Sequence, residues 1–318
     1  MSKRSAGLGW ALVPMLLLVA VVNGCSSDKE GSDNTKPAKS APVLATTAIW
    51  ADVISSATCH AIPVDSLVPA GSDTHDFELS LHASDQVLES RVVFTNGLGL
   101  DASFTPVLDM ARDAGVEVVD LGAAMDSDMP PIAGDPHFWM EPERVRGVVG
   151  VVAAKLKPLE LMDSTELDRC AKQYSGDLTD LTTLMAREME VIPSSRRKLV
   201  TEHHNMGYFA QRFDFEVLGA MNDASGSLAE TDARHLEKLR VLMTSAGIDT
   251  VFVQAGESND KAESLARDVS VNGEVVPLYI ETPPKTVDTS ADAGGIISST
   301  YVQMMTVNAE RVAAALSK

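Results

Sequence analysis

The chain has 318 residues, of which 45% are hydrophobic, and this is enough for two domains of ordinary size with sizeable cores. Its formal net charge is −19, from 45 acidic and 26 basic residues. This balance argues against nucleic acid as a partner, because phosphate binding requires a basic surface.

The N-terminal segment predicts export from the cytoplasm. Lys3 and Arg4 form a short positive region, and an apolar run follows from Leu8 to Val22. This order is typical of a signal peptide, here residues 1–24, and the run is too short and wrongly flanked for a lasting membrane span. A small residue precedes Cys25, as in the bacterial lipobox, so Cys25 is the expected lipid attachment site. Ordinary secretion with Cys25 as a mature thiol is the alternative.

Residues 25–42 predict a flexible tether. They are small and polar, contain proline, and show no apolar period. A lipid on Cys25 would then hold the folded part at the cell membrane, on its extracytoplasmic side. The only other cysteines are Cys59 and Cys170, which could form a disulfide or remain free small residues of the core. The chain has no Cys-x-x-Cys pair, which excludes a thiolate zinc site.

The mature chain alternates short apolar runs with amphipathic stretches, and several of the runs are apolar throughout, as expected of strands covered on both faces. This alternation predicts an α/β fold with mainly parallel sheets. The predicted strands are Val43–Thr47, Val64–Val68, Arg91–Thr95, Val116–Asp120, Lys198–Thr201, Phe215–Gly219, Thr250–Gln254 and Val275–Tyr279. Predicted helices include Phe104–Ala114, Glu141–Leu156, Thr231–Ala246 and Ile296–Leu316.

One long segment, Asp163–Val191, interrupts the alternation. It starts at a good N-cap residue, contains no proline, and carries an apolar stripe of Leu167, Leu178, Leu181, Leu184 and Met185. A helix of this length would measure about 40 Å. We therefore expect two lobes, each a mainly parallel sheet flanked by helices, joined by one linking helix. The predicted boundaries are 43–162, 163–193 and 194–318.

Four candidate metal ligands follow predicted strands. They are His75, His137, His203 and Glu281, two in each predicted lobe. In open α/β sheets, ligands bind beyond the carboxyl ends of the strands, so one metal ion could contact all four side chains. His137 lies between the turn-forming Asp135-Pro136 and a new helix, which predicts that its imidazole projects from a loop. The alternative for each histidine taken alone is an ordinary surface position.

Six segments carry a further pattern. They are Asn96–Asp101 (NGLGLD), Asp135–Trp139 (DPHFW), Thr201–Phe209 (TEHHNMGYF), Val251–Gln254 (VFVQ), Leu278–Glu281 (LYIE) and Tyr301–Asn308 (YVQMMTVN). In this order they resemble the landmarks of the metal-specific solute-binding lipoproteins of bacterial ABC importers, the zinc and manganese group called cluster A-I. The resemblance covers nearly the whole mature chain. Two positions depart from the family pattern: Thr74 stands where a proline often precedes the first ligand, and Glu281 stands where aspartate is common.

The resemblance implies a monomeric receptor, not an enzyme, with His75, His137, His203 and Glu281 as metal ligands and with an ABC permease and its ATPase as partners. Three imidazoles and one carboxylate suit Zn²⁺. In that family, manganese binders usually have a carboxylate in place of the third histidine. The alternatives are a receptor for Mn²⁺ or Fe²⁺, and a surface adhesin or metal-sequestering lipoprotein. A secreted metallohydrolase fits poorly, because four protein ligands leave no open coordination position.

Overall fold

The computed structural model describes residues 42–72, 74–75, 77–125, 128–222, 229–256, 258–281, 283 and 301–318. The predicted signal peptide, Cys25 and most of the predicted tether lie outside this range. Over the described residues, no helix combines the length and the apolar character needed to cross a membrane.

The predicted α/β fold is confirmed, with two four-stranded parallel sheets in the orders β2-β1-β3-β4 and β6-β5-β7-β8. The first sheet consists of β1 Val43–Ala45, β2 Val64–Ser66, β3 Val92–Thr95 and β4 Glu117–Asp120. The second consists of β5 Lys198–Thr201, β6 Glu216–Ala220, β7 Thr250–Gln254 and β8 Glu274–Leu278. Both lobes therefore have the same strand order, although the sequence shows no internal repeat.

The helices flank these sheets. They are α1 Ala48–Ala57, α2 Leu81–Glu89, α3 Thr105–Asp113, α4 Pro142–Leu156, α5 Ser164–Glu190, α6 Gly207–Phe213, α7 Ala229–Ala246, α8 Asp260–Val269 and α9 Tyr301–Leu316. A short 3₁₀ helix, Phe138–Met140, precedes α4. The strands β3 and β7 are buried along their whole length, as the continuous apolar runs predicted.

The long helix α5 has 27 residues and begins where the sequence predicted. The Asp163 carboxylate accepts hydrogen bonds from the backbone N–H groups of Thr165 and Glu166, which satisfies two donors at the helix N-terminus. The assignment of Leu184 to the predicted apolar stripe is wrong, because Leu184 is 37% exposed, whereas Met185 is fully buried. Adjacent residues lie about 100° apart around a helix, so Leu184 faces away from the buried side.

Helix α5 packs against α1, α4 and α9. One hydrophobic core includes residues from these helices and from both sheets, among them Phe94, Leu178, Leu199 and Leu316. Helix α5 thus contacts both lobes, as expected of a linking helix. The boundaries that we place at residues 162/163 and 193/194 remain a prediction.

A disulfide joins Cys59 to Cys170, with a Cα–Cα distance of 5.5 Å. Cys59 follows the end of α1, and Cys170 is buried on α5. This bond resolves the alternative that the sequence left open. It fixes the first lobe covalently to the linking helix.

Candidate metal centre

Three of the four predicted ligands meet at the carboxyl ends of the two sheets. His75 Nε2 lies 3.3 Å from His137 Nε2, which in turn lies 3.2 Å from Glu281 Oε1. One potential ligand atom from each of the three residues lies within 4.8 Å of the other two. The residues follow β2, β4 and β8, so both lobes contribute to the centre.

The loop between β4 and α4 orients His137. The Asp135 Oδ1 atom accepts a hydrogen bond from the backbone N–H of His137 at 2.9 Å and lies 2.8 Å from its Nδ1. With Nδ1 engaged, the imidazole presents Nε2 to His75 and Glu281. Asp135 is thus both a turn residue and a support for the ligand imidazole.

Charge within the centre is concentrated on two buried groups. Burial disfavours the charged form of His137, but the hydrogen bonds and negative charges of Asp135 and Glu281 outweigh burial and raise the pKa of the imidazole to about 9. Burial also opposes ionisation of Glu281, yet the hydrogen bond and charge of His137 prevail, with contributions from His75 and His203, and the pKa of Glu281 falls below its ordinary value. At neutral pH the metal-free chain therefore places a carboxylate beside an imidazolium.

The second carboxylate oxygen of Glu281 bears on whether this site fits a cation. Glu281 Oε2 is buried and has no hydrogen-bond partner among the described residues. A buried charged oxygen without a partner is costly, and a cation between the carboxylate and the two imidazoles would compensate for this cost. The donor set and the orphaned oxygen therefore fit a divalent metal ion.

The spacing of the donor atoms also fits such an ion. Zn²⁺ binds imidazole nitrogen at about 2.0–2.1 Å, and two ligands of a tetrahedron at this distance lie about 3.3 Å apart. The observed separations between His137 Nε2 and its two neighbours are 3.3 and 3.2 Å. These two separations are those expected of ligands of one ion, and the third pair of ligand atoms lies within 4.8 Å.

His203 is the fourth predicted ligand, and it is not a member of this three-residue group in the described part of the chain. Its imidazole is exposed, and its Nε2 atom lies 3.2 Å from the Asn222 side-chain nitrogen. Its charge nevertheless acts on Glu281. His203 therefore lies near the centre but directs its ring nitrogen to an amide.

Two side chains that we did not predict as functional hold the ligand segments. The Gln254 Oε1 atom, at the end of β7, accepts hydrogen bonds from the backbone N–H groups of Ile280 and Glu281, each at 3.2 Å. The Asn96 side chain, after β3, donates a hydrogen bond to the Pro136 carbonyl at 3.1 Å. Both residues belong to the recognised sequence segments, but their roles depend on contacts far along the chain.

Three other histidines lie outside the three-residue group. His60 Nδ1 lies 2.8 Å from Ser55 Oγ, and His204 is exposed. His235 is partly buried on α7, and its Nε2 lies 2.6 Å from the Ala220 carbonyl oxygen. This contact with a carbonyl group of β6 explains why the polar ring of His235 lies on the partly buried side of α7.

Residues 43–315 match the family described as ZnuA, zinc-uptake complex component A periplasmic. The chain is 24% identical over 279 residues to the zinc-binding protein TroA of Treponema pallidum, which covers 87% of this chain and 89% of TroA. It is 24% identical over 271 residues to the manganese-binding lipoprotein MntA of Bacillus subtilis, covering 84% and 87% of the two chains. It is also 24% identical over 336 residues to the iron ABC transporter substrate-binding lipoprotein MtsA of Streptococcus pyogenes, covering 100% of both.

The fold has a close match among solved structures. The periplasmic zinc-binding protein TroA from Treponema pallidum superposes with a TM-score of 0.74 at 23% identity, covering 87% of this chain and 99% of that chain. At this level of identity, the likeness establishes the two-lobed architecture and leaves the choice of metal open.

Proposed function

The chain belongs to the ZnuA family of zinc-uptake components, and from this membership we propose that it is an extracytoplasmic receptor that captures Zn²⁺ between its two lobes. At the coarser level, it is a metal-binding substrate-binding component of an ABC transporter. The observation that carries the proposal is the group formed by His75, His137 and Glu281, whose ligand atoms lie within 4.8 Å of one another.

We assign four ligands to the ion: His75, His137, His203 and Glu281. The ring nitrogen of the second lies 3.3 Å from that of the first and 3.2 Å from the carboxylate of the fourth, as expected of ligands of one ion. His203 would complete the set by exchanging its contact with Asn222 for the metal. A shell of three nitrogen atoms and one oxygen atom suits tetrahedral Zn²⁺.

The choice of zinc rests on this nitrogen-rich donor set. Mn²⁺ prefers more oxygen ligands, and affinity at a given nitrogen site rises from Mn²⁺ through Fe²⁺ toward the later metals, with Zn²⁺ above both. The named relatives bind zinc, manganese and iron. Mn²⁺ and Fe²⁺ are therefore the alternatives that a direct competition must exclude.

Four protein ligands suit retention of an ion better than catalysis, because a catalytic zinc keeps one position open for water or substrate. The two lobes each supply part of the shell, so separating them would break it. We propose that docking on a membrane permease, driven by its ATPase, separates the ligands and releases the ion.

We further propose that the receptor works as a monomer at the outer face of the cell membrane, anchored by a lipid on Cys25. The sequence order of a positive region, an apolar run and a small residue before Cys25 supports this anchor. Two of the named relatives are lipoproteins.

Metal analysis of the purified chain, followed by competition of Zn²⁺ against Mn²⁺ and Fe²⁺, tests this function. We expect one bound ion per chain and stronger binding of Zn²⁺ than of either competitor. Preferential binding of Mn²⁺ or Fe²⁺ would contradict the zinc assignment while preserving the receptor. Absence of stoichiometric binding by all three metals would contradict the receptor function itself.

A further inference from the structure

Tyr208 connects the second lobe to the ligand loop of the first. It lies on α6, five residues after His203, and its side chain is completely buried. Its hydroxyl accepts a hydrogen bond from the Ile132 backbone N–H and donates one to the Asp135 carbonyl, both at 3.0 Å. Asp135 in turn orients His137, so a residue of the second lobe fixes a ligand segment of the first.

Trp139 makes the reverse connection. It belongs to the first lobe, two residues after His137, and is 1% exposed. Its indole N–H donates a hydrogen bond to the Ile280 carbonyl at 2.7 Å, directly before Glu281. Its ring also meets the His137 imidazole edge to face, with 5.1 Å between the ring centroids.

The two contacts are reciprocal, since each lobe extends one buried aromatic side chain to the ligand segment of the other. We infer that Trp139 and Tyr208 are positioning residues that hold the ligand segments of the two lobes in register for the ion. The inference rests on the proposed function. It adds two residues that do not bind the metal ion themselves. They hold the metal ligands in the positions that binding requires.

The loop held by Tyr208 depends on such contacts, because residues 128–136 form no helix or strand. Arg144, at the start of α4, donates hydrogen bonds to the carbonyls of Met129 and Pro130, and its guanidinium lies 4.6 Å from the centre of the Tyr208 ring. The loop is therefore fixed from the first lobe by Arg144 and from the second by Tyr208.

The close approach of α6 to this loop is confirmed by Gly207. A Cβ atom at Gly207 would lie 2.4 Å from Asp135 Oδ2, far inside contact distance. Glycine at this position lets Tyr208 reach the loop without displacing the carboxylate that orients His137. Two adjacent residues thus make the contact possible: Tyr208 supplies the hydroxyl, and Gly207 has no side chain that would collide with Asp135.

The consequence for binding follows from preorganisation. When the segments are held in place before the ion arrives, little ordering remains to be done on binding, and affinity is higher for the same ligands. Removing the Tyr208 hydroxyl leaves all four proposed ligands and the aromatic ring intact. It removes two buried hydrogen bonds, and we expect about tenfold faster release of Zn²⁺ from this loss.

The test compares Tyr208→Phe with Tyr174→Phe in the full chain. Tyr174 is a matched control, because it is a buried tyrosine on α5 whose hydroxyl interacts with Ser56 of α1 and not with a ligand segment. We expect the Zn²⁺ release rate, measured with a chelator in excess, to rise about tenfold in Tyr208→Phe and to stay at the wild-type value in Tyr174→Phe. In the metal-free chain, hydrogen exchange at the Ile132 amide should accelerate only in Tyr208→Phe.

Equal release rates for wild type and Tyr208→Phe would overturn the inference, even with a lower unfolding temperature, because that result would assign the hydroxyl to stability alone. Unchanged exchange at Ile132 would overturn it as well. Failure of the wild-type chain to bind Zn²⁺ would instead count against the proposed function. The two failures are therefore distinguishable.

Discussion

His137 Nε2 and Glu281 Oε1 lie 3.2 Å apart, although one residue follows the last strand of the first sheet and the other follows the last strand of the second. Their proximity means that the metal centre depends on both lobes at once. Removing His137 leaves the Glu281 carboxylate without its nearest counter-charge, and the effect on metal binding should be large.

The histidine ligands give the first prediction. His137→Ala and His203→Ala should each weaken Zn²⁺ binding by at least about 100-fold, because each removes a direct ligand and changes to supporting residues alone cost about 10–100-fold. His204→Ala is the matched control, since His204 is the exposed neighbour of His203. Competition titration measures the affinities. Wild-type binding by both ligand variants would refute the assigned centre.

The second prediction concerns the contact between His203 and Asn222. The amide of Asn222 lies 3.2 Å from the ring nitrogen that we assign to the metal, so it must be displaced on binding. Asn222→Ala should therefore tighten Zn²⁺ binding by several-fold, about the value of one hydrogen bond. Asn272→Ala serves as the control on a surface turn of the second lobe. Weaker binding by Asn222→Ala would show instead that the amide presents His203 to the ion.

The third prediction concerns pH and stability. Burial raises the pKa of Asp52 to about 6, partly offset by the hydrogen bond that its carboxylate accepts from the Tyr301 backbone N–H. A raised pKa means that the folded chain holds the proton more tightly than the unfolded chain does. The stabilisation is complete below about pH 4 and is lost as the pH rises through about 6.

Asp52→Asn removes this titration while retaining an acceptor for the Tyr301 N–H. At pH 7.5 the variant should gain about 3 kcal/mol in unfolding free energy relative to wild type, and the difference should shrink toward pH 4. Urea denaturation at several pH values measures it. A difference that is independent of pH would contradict the assignment to Asp52.

The fourth prediction concerns the disulfide between Cys59 and Cys170. The two residues are 111 positions apart, and closing a loop of about 100 residues restricts the unfolded chain by an amount worth about 3–5 kcal/mol. The double variant Cys59→Ser, Cys170→Ser should lose stability of this order. Reduction of the wild-type chain should reproduce the loss, and reduction should leave the double variant unchanged. Equal stability of the oxidised and reduced wild type would contradict the prediction.

The fifth prediction concerns lipid attachment at Cys25. Cys25→Ala should prevent incorporation of labelled fatty acid and move the protein from the detergent phase to the aqueous phase, because the acyl chains supply the apolar surface that holds it in the membrane. Ser27→Ala is the control for a substitution in the same segment that leaves all three cysteines in place. Persistent labelling of Cys25→Ala would exclude this residue as the anchor.

The strands were predictable because burial on both faces leaves a continuous apolar run, as in Val92–Thr95 and Thr250–Gln254. Strand ends in turn indicated where His75, His137 and Glu281 would lie. The sequence did not indicate that His203 would contact Asn222, since this contact depends on the path of the chain after β6. Rotamer and loop geometry decide such details, and no local pattern encodes them.

The supports of the centre were less predictable for the same reason. Gln254 and Asn96 lie in recognisable segments, but the carbonyl and N–H groups that they bind belong to segments distant in the chain. Cys59 and Cys170 likewise carry no local signal of pairing across 111 positions. Pairwise tertiary contacts of this kind follow from the folded arrangement and not from periodicity.

The bond between Cys59 and Cys170 also turns most of the first lobe into a covalent ring. A protease that cuts once anywhere between residues 60 and 169 would produce two polypeptides still joined through sulfur, which would separate on a gel only after reduction. For a cut between residues 76 and 136, His75 and His137 would then lie on different polypeptides of one molecule. A receptor exposed outside the cytoplasm could thus be nicked in this lobe without shedding either histidine.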